Sequence, residues 1–352
     1  MNKEWKEFFI GGDEGIFTLR STNSGIDKNK LLSGENETIP YITRTDINNG
    51  INLFIDANQD DKYEIDPNNV ISIGLDTQTV FYQPYKFFTG QNIQVLSNEH
   101  INKYSALFIV RALKVQLAKF NWGGNGATLG RLMRTKIMLP VDSDDNPDYH
   151  YMETYIKALQ EKKLNEYCSF CKSQLNKLGK VKKIKKIDEV DWAPIELQTI
   201  AKIDSGIDIY DAERIDGNTP YITAGIQNNG IGYFVDNTNK TVEENAISVS
   251  RNGANVGCSF YHKYKALYSN DCRKVKLLNY SDNEYVSLFI TNQIALQRRN
   301  FNYSRKMGTA RLKRQMIMLP VDSDDNPDFD YMEQYIKNWM IVKYKQYLDH
   351  IG

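Results

Sequence analysis

Apolar positions along this chain fall first into short strand-like runs broken by turn residues and then into helical ones, and the whole succession occurs twice. Val70-Ile71-Ser72-Ile73 and Ala246-Ile247-Ser248-Val249-Ser250 predict strands. They stand among turn-forming pieces such as Asn48-Asn49-Gly50 and Asn228-Asn229-Gly230. Residues 101–120, with Leu107, Val110, Leu113 and Leu117, and residues 284–300, with Leu288, Phe289, Ile294 and Leu296, carry helical spacing. A further helix is expected after Asn146-Pro147 and again after Asn326-Pro327, each an N-cap residue followed by a proline whose missing N–H costs nothing there. Met152, Tyr155, Ile156 and Leu159 make one apolar face of the first. Met332, Tyr335, Ile336, Trp339 and Met340 match it in the second. The first helix is expected to reach about Leu178, before Gly179 and the lysine-rich run Lys180 to Lys186, and the second to end near Gly352.

The repetition is strongest where those helices start. Ile137 to Lys157 returns 180 residues later as Ile317 to Lys337, with only Tyr149/Phe329, His150/Asp330 and Thr154/Gln334 different among 21 positions. The same register recovers Pro40-Tyr41-Ile42-Thr43 against Pro220-Tyr221-Ile222-Thr223. A period this long means domain duplication, not a solenoid array, and 352 residues suffice for two ordinary domains divided near residue 188. The expected fold is α+β: two globular α/β units related by a pseudo-twofold, joined and spaced by long antiparallel helices. Between the anchors the copies have drifted apart. One segment therefore does the same job twice, and the rest does two different jobs.

Charge sharpens that division. Lys plus Arg and Asp plus Glu balance at 44 each, so net charge excludes nothing. Yet His100 to Val141 holds seven basic residues and no acid, as does Tyr285 to Val321. Both runs are interleaved with aromatic rings, a pattern that suits phosphate and base contact. A solvated charged face is the plain alternative. The loop Ser250 to Asn255 adds an arginine and asparagines in a turn. Four cysteines, no apolar run of membrane length and no leader at Met1 suggest a reducing, cytoplasmic setting without membrane association.

Catalytic and metal chemistry finds little footing. Asp142 to Asp148 with Glu153 imitates a calcium loop, but proline stands where the loop needs glycine. Pro147-Asp148 with Glu161 and Lys163 imitates a metal-dependent nuclease, but the residues fall on an expected helix and the glutamate is missing from the second copy. Cys168 and Cys171, with Cys258 and Cys272, could supply four zinc ligands, though Leu348 and Ile351 occupy the first pair's places in the repeat. His100, His150, His262 and His350 have no ligand or triad spacing, and Gly123-Gly124-Asn125-Gly126 lacks the partners of a phosphate loop. No cofactor, metal or catalytic residue is expected.

Two divergent units, each opening near a Trp, carrying Pro-Tyr-Ile-Thr and closing in Leu-Pro-Val…Asn-Pro-Asp…Tyr-Met-Glu…Tyr-Ile-Lys, resemble the DNA specificity subunits of restriction–modification systems. Both type I and the two-subunit type II enzymes that cut on both sides of their site are possible sources, and the resemblance covers essentially the whole chain. It implies two target recognition domains, 1–146 and 188–326, with a spacer helix and linker at 147–187 and a terminal spacer helix at 327–352. It further implies a non-catalytic chain whose partners are double-stranded DNA, two copies of an adenine methyltransferase subunit, and a restriction subunit or fused nuclease. The DNA contacts expected in the first domain are Arg44, Lys86, Lys119, Trp122, Asn125, Arg131 and Arg134. In the second they are Arg251, Asn252, Arg298, Arg299, Tyr303, Arg305, Lys306, Arg311 and Arg314. Met152, Tyr155, Ile156, Met332, Tyr335 and Ile336 are the expected partner-binding or helix-pairing residues. A protein scaffold that reads no DNA, and the nuclease built on Asp148, Glu161 and Lys163, are the competing readings.

Overall fold

The computed structural model describes residues 3–120, 126–302 and 304–351, and the chain divides into two compact units, Met1–Tyr167 and Cys168–Gly352. The first runs β1 (Trp5–Phe9), β2 (Thr18–Ser21), β3 (Glu37–Ile42), β4 (Ile51–Asp56), β5 (Val70–Gly74), β6 (Val80–Gln83), β7 (Phe88–Thr89) and β8 (Ile93–Ser97). Helices α1 (Lys103–Leu117) and α2 (Leu129–Met133), strand β9 (Lys136–Pro140) and helix α3 (Tyr149–Leu178) follow, the last residues of α3 falling in the second unit. The second unit repeats the order with one added short helix, α4: β10 (Trp192–Glu196), α4 (Leu197–Ile200), β11 (Ala201–Ser205), β12 (Asp216–Ile222), β13 (Ile231–Val235), β14 (Ala246–Ser250), β15 (Ser259–His262), β16 (Leu267–Tyr268) and β17 (Cys272–Leu277). It closes with α5 (Glu284–Leu296), α6 (Thr309–Lys313), β18 (Met316–Pro320) and α7 (Phe329–Ile351).

Each unit folds its strands into the same three pieces: an antiparallel four-stranded sheet, β2-β8-β5-β6 or β11-β17-β14-β15; a three-stranded sheet, β4-β3-β7 or β13-β12-β16; and a pair, β1-β9 or β10-β18. The apolar runs foreseen as strands become β5 and β14, central in their sheets and buried along their whole length, which is why they read as continuous rather than alternating. One side of α1 covers β5 and β6 through Ile109 and Leu113, and α5 repeats this with Ile290 and Ile294. Asn102 and Asn283 cap these two helices. Both asparagines also donate to a glutamate on the following long helix, Asn102 to Glu153 at 2.8 Å and Asn283 to Glu333 at 2.6 Å. Lys157 and then Asn102 hold the Glu153 carboxyl below its usual range. Glu153 and Lys157, with their repeats Glu333 and Lys337, thus fasten each long helix to its own unit.

Two expectations need correction. The long helices start at Tyr149 and Phe329, not at the prolines. Pro147 bridges back to Val141 and Pro327 to Val321, and the cap passes to Asp148 and Asp328, whose Oδ1 atoms accept from Tyr151 N and Tyr331 N at 2.8 and 2.9 Å. Met152 and Met332 are also not surface residues: each is fully buried in the core of its own unit. The sharp turn before each helix rotates these methionines inward and leaves the next turn, with Tyr155 or Trp339, outside. Met152→Ala and Met332→Ala are accordingly expected to destabilise the unit that holds them by roughly 2–5 kcal/mol, read as a drop in that unit's urea midpoint. A midpoint unchanged in either variant would contradict the core assignment.

Candidate nucleic-acid interface and paired apolar grooves

In each unit the basic segment is docked onto the loop edge of the four-stranded sheet. Ala127 N donates to Leu75 O at 2.9 Å in the β5–β6 turn, and a side chain added at Gly126 would meet Leu75 at 3.0 Å. In the second unit Met307 N donates to Arg251 O at 3.3 Å in the β14–β15 loop. That loop is held again by Arg298, whose Nη2 donates to Ala254 O at 3.1 Å and whose backbone leaves no room for a side chain at Gly257 (φ +82°). Basic segment and sheet loops therefore form one continuous edge in each unit.

Along that edge the expected contact residues divide by what they already do. Arg131 donates to Gly126 O at 2.9 Å, Arg311 to Lys306 O at 2.5 Å and Arg314 to Ala310 O at 3.3 Å, so these arginines shape the loops that carry them. Arg305 lies over the Phe301 ring and Lys119 over Phe120. Lys86, Arg134, Arg298 and Arg299 are exposed, as is Arg44, which pairs with Asp76; Lys306 is half-buried. Trp122, Asn125 and Tyr303 lie outside the described residues.

A second matched feature lies on each unit where the long helix meets the domain helix. Trp5 stacks on Phe108 at 5.9 Å, and Tyr155 meets the same Phe108 edge-on at 5.7 Å. Trp192, Phe289 and Tyr335 repeat this at 6.2 and 5.8 Å. The three rings floor an apolar groove completed by Val115, Met138, Ile156 and Leu159 in the first unit, and by Leu288, Ile336, Trp339 and Met340 in the second. Tyr155 and Trp339 keep 48% and 51% of their surface in solvent. The grooves differ at one border. In the second unit the lysine-rich linker packs on α7, with Asn338 Oδ1 accepting from Lys182 N at 3.0 Å and Asn338 Nδ2 donating to Lys182 O at 2.8 Å; Ala158 stands at the matching place on α3.

Residues 2–167 and 189–347 each match the family described as the type I restriction modification DNA specificity domain. The chain belongs to this family. The specificity subunit is 33% identical, over 88% of its own length and 88% of the other, to the type II restriction enzyme specificity subunit S.BcgI of Heyndrickxia coagulans. Its fold is similar to the crystal structure of a type I system S subunit from M. genitalium, with a TM-score of 0.52 at 16% identity over 99% of this chain and 92% of that one. It is thus the DNA-reading, non-catalytic member of a restriction–modification system, with two target recognition domains.

Its remaining chemistry-bearing residues are structural. Asp148 caps α3 and Glu161 lies 13 residues further on within it, roughly 20 Å away by helical rise and too far to share an ion. Asp148 is bound by Lys3, and Lys163 pairs with Glu166 at 2.8 Å. In the acidic loops Asp142 and Asp322 each turn Oδ1 onto two backbone N–H groups of their own loop. All four cysteines are free, and no cluster of potential metal ligands exists among the described residues. Burial drives the Cys272 thiol up to about 12, which leaves it inert. No helix among the described residues is long and apolar enough to cross a membrane.

Proposed function

We propose that each target recognition domain reads one half of a split DNA site, residues 17–136 one half and residues 197–316 the other. The two apolar grooves each receive one copy of the same methyltransferase subunit. The segments 147–187 and 327–352 act as spacers between the domains, and the complex works in the cytoplasm with a restriction subunit or a nuclease fused to the methyltransferase. The observation that carries this reading is the contrast within one chain: the groove's ring geometry recurs within a few tenths of an ångström, while the loop edges differ almost everywhere. A surface kept twice suits one partner bound twice. A surface varied twice suits two different sequences.

Methyl transfer to adenine and cleavage fall to the partner chains; this subunit supplies register through phosphate contacts and discrimination through base contacts. Co-expression with an adenine methyltransferase subunit, followed by mapping of methylated adenines across the host genome, is expected to return a two-part motif with a fixed spacer. A stable complex without methylation would favour the scaffold reading. In addition, binding of the complex to DNA is expected to weaken by about a thousandfold or more between 50 and 200 mM salt if six or so phosphates are neutralised. A salt-independent affinity measured by fluorescence anisotropy would argue against the basic edge as the contact surface.

A further inference from the structure

Each loop edge holds one arginine and one asparagine against a shared aspartate, but the two units build that trio from different positions. In the first, Arg44 beyond β3 donates to Asp76 Oδ2 in the β5–β6 turn, and Asn92 in the β7–β8 turn donates to the same oxygen at 3.4 Å. In the second, Arg251 Nη2 lies 3.7 Å from Asp271 Oδ1, and Asn252 Nδ2 donates to that oxygen at 3.4 Å. The backbone register is common to both. Leu75 N donates to Asn92 O at 2.9 Å and Arg251 N to Asp271 O at 2.8 Å, which makes Asn92 and Asp271 equivalent and places Arg251 where the first unit has Leu75. Ala224 follows Pro-Tyr-Ile-Thr where Arg44 does in the first unit.

A scaffold keeps a residue in its place. Here the places change and the set of side chains is retained, so the demand for that set comes from what the edge touches. Each pair keeps one partner largely in solvent, Arg44 41% and Asp271 50% exposed, so it adds little to stability, and the arginine fork matches guanine O6 and N7 as the asparagine amide matches adenine N6 and N7. We propose that the two trios are base-reading heads: Arg44 and Arg251 each address a guanine, Asn92 and Asn252 an adenine. Asp76 and Asp271 are positioning residues that aim the arginine and the amide. Arg251 Nε and Asn252 Oδ1 are buried without a hydrogen-bond partner among the described residues, so both side chains gain partners by turning outward onto a base. The moved arginine also means that the guanine falls at a different step in the two half-sites. This inference rests on the half-site reading proposed above.

The test uses the full chain co-expressed with its methyltransferase subunit and scored by the mapped methylation motif. Arg44→Ala is expected to relax one guanine in one half of the motif, its preference over other bases falling on the order of tenfold to a hundredfold, with the other half unchanged. Arg251→Ala does the same in the opposite half. Asp76→Asn weakens selectivity at the Arg44 position while the salt slope of binding and the melting temperature stay as in the parent, a pattern that a purely structural aspartate does not produce. An unchanged motif in both arginine variants overturns the proposal, as does a loss of methylation spread evenly over all positions, which marks a phosphate contact. A parent complex that yields no two-part motif refutes the half-site reading itself, a result separable from failure of the trios.

Discussion

Tyr155→Asp combined with Leu159→Asp is expected to remove one methyltransferase subunit from the assembled complex, and Trp339→Asp combined with Leu288→Asp to remove the other. All four side chains line the apolar grooves, and all keep more than a third of their surface in solvent. Their replacement therefore alters the isolated subunit's stability little. Burying a large apolar side chain contributes roughly 1.5–3 kcal/mol. Two such losses together with two desolvated carboxylates exceed about 4 kcal/mol, close to a thousandfold in affinity. Native mass measurement of the co-expressed complex decides it. One copy lost per variant pair supports two equivalent docking sites, whereas full stoichiometry in both pairs would place docking elsewhere. The linker bordering the second groove adds a graded expectation: Asn338→Ala frees Lys182 and is expected to affect the second site alone.

Helices α1, α5, α3 and α7 and strands β5 and β14 were legible from spacing because periodicity is a local property and each is long or fully apolar. The duplicated segment was equally legible, since Ile137 to Lys157 returns nearly unchanged as Ile317 to Lys337. Position within the helix was less legible. Met152 and Tyr155 share one stripe at helical spacing, yet the first is core and the second surface, because the Val141–Pro147 bridge sets the helix's rotation about its axis. Arg44 was expected at the DNA, but its partners Asp76 and Asn92 left no mark, since the three come from separate loops and meet only through sheet register. Asn338 was equally silent: one amide holding a linker's backbone from 156 residues away has no periodicity to betray it.

Acid is expected to loosen the second unit before the first, through one histidine. His262 is fully buried on β15, its Nε2 2.9 Å from Ser248 Oγ on β14 and its Nδ1 3.2 Å from the Tyr264 hydroxyl, and burial pulls its pKa down to about 4. The first unit fills the same place with Gln83, which donates from Nε2 to Ser72 Oγ at 2.9 Å. The shared bond to serine identifies the pair as a strand-to-strand tie and not a catalytic couple. The folded state holds the histidine neutral, whereas the unfolded chain takes up a proton near pH 6.5. Stability is therefore complete above pH 6.5 and declines as pH falls toward 4, by about 3 kcal/mol in all. Most of that loss is complete by about pH 4.5, before carboxylates of depressed pKa such as Glu153 and Asp148 titrate. His262→Gln, which copies the first unit's solution, is expected to abolish the decline. Hydrogen exchange of the β14 and β15 amides between pH 6.5 and 4.5 measures it against β5 and β6 in the same molecule. Because β14 leads directly into Arg251 and Asn252, acid should erode selectivity in the half-site proposed for residues 197–316 and spare the other. Equal erosion in both halves, or an acid response that survives His262→Gln, would rule the histidine out.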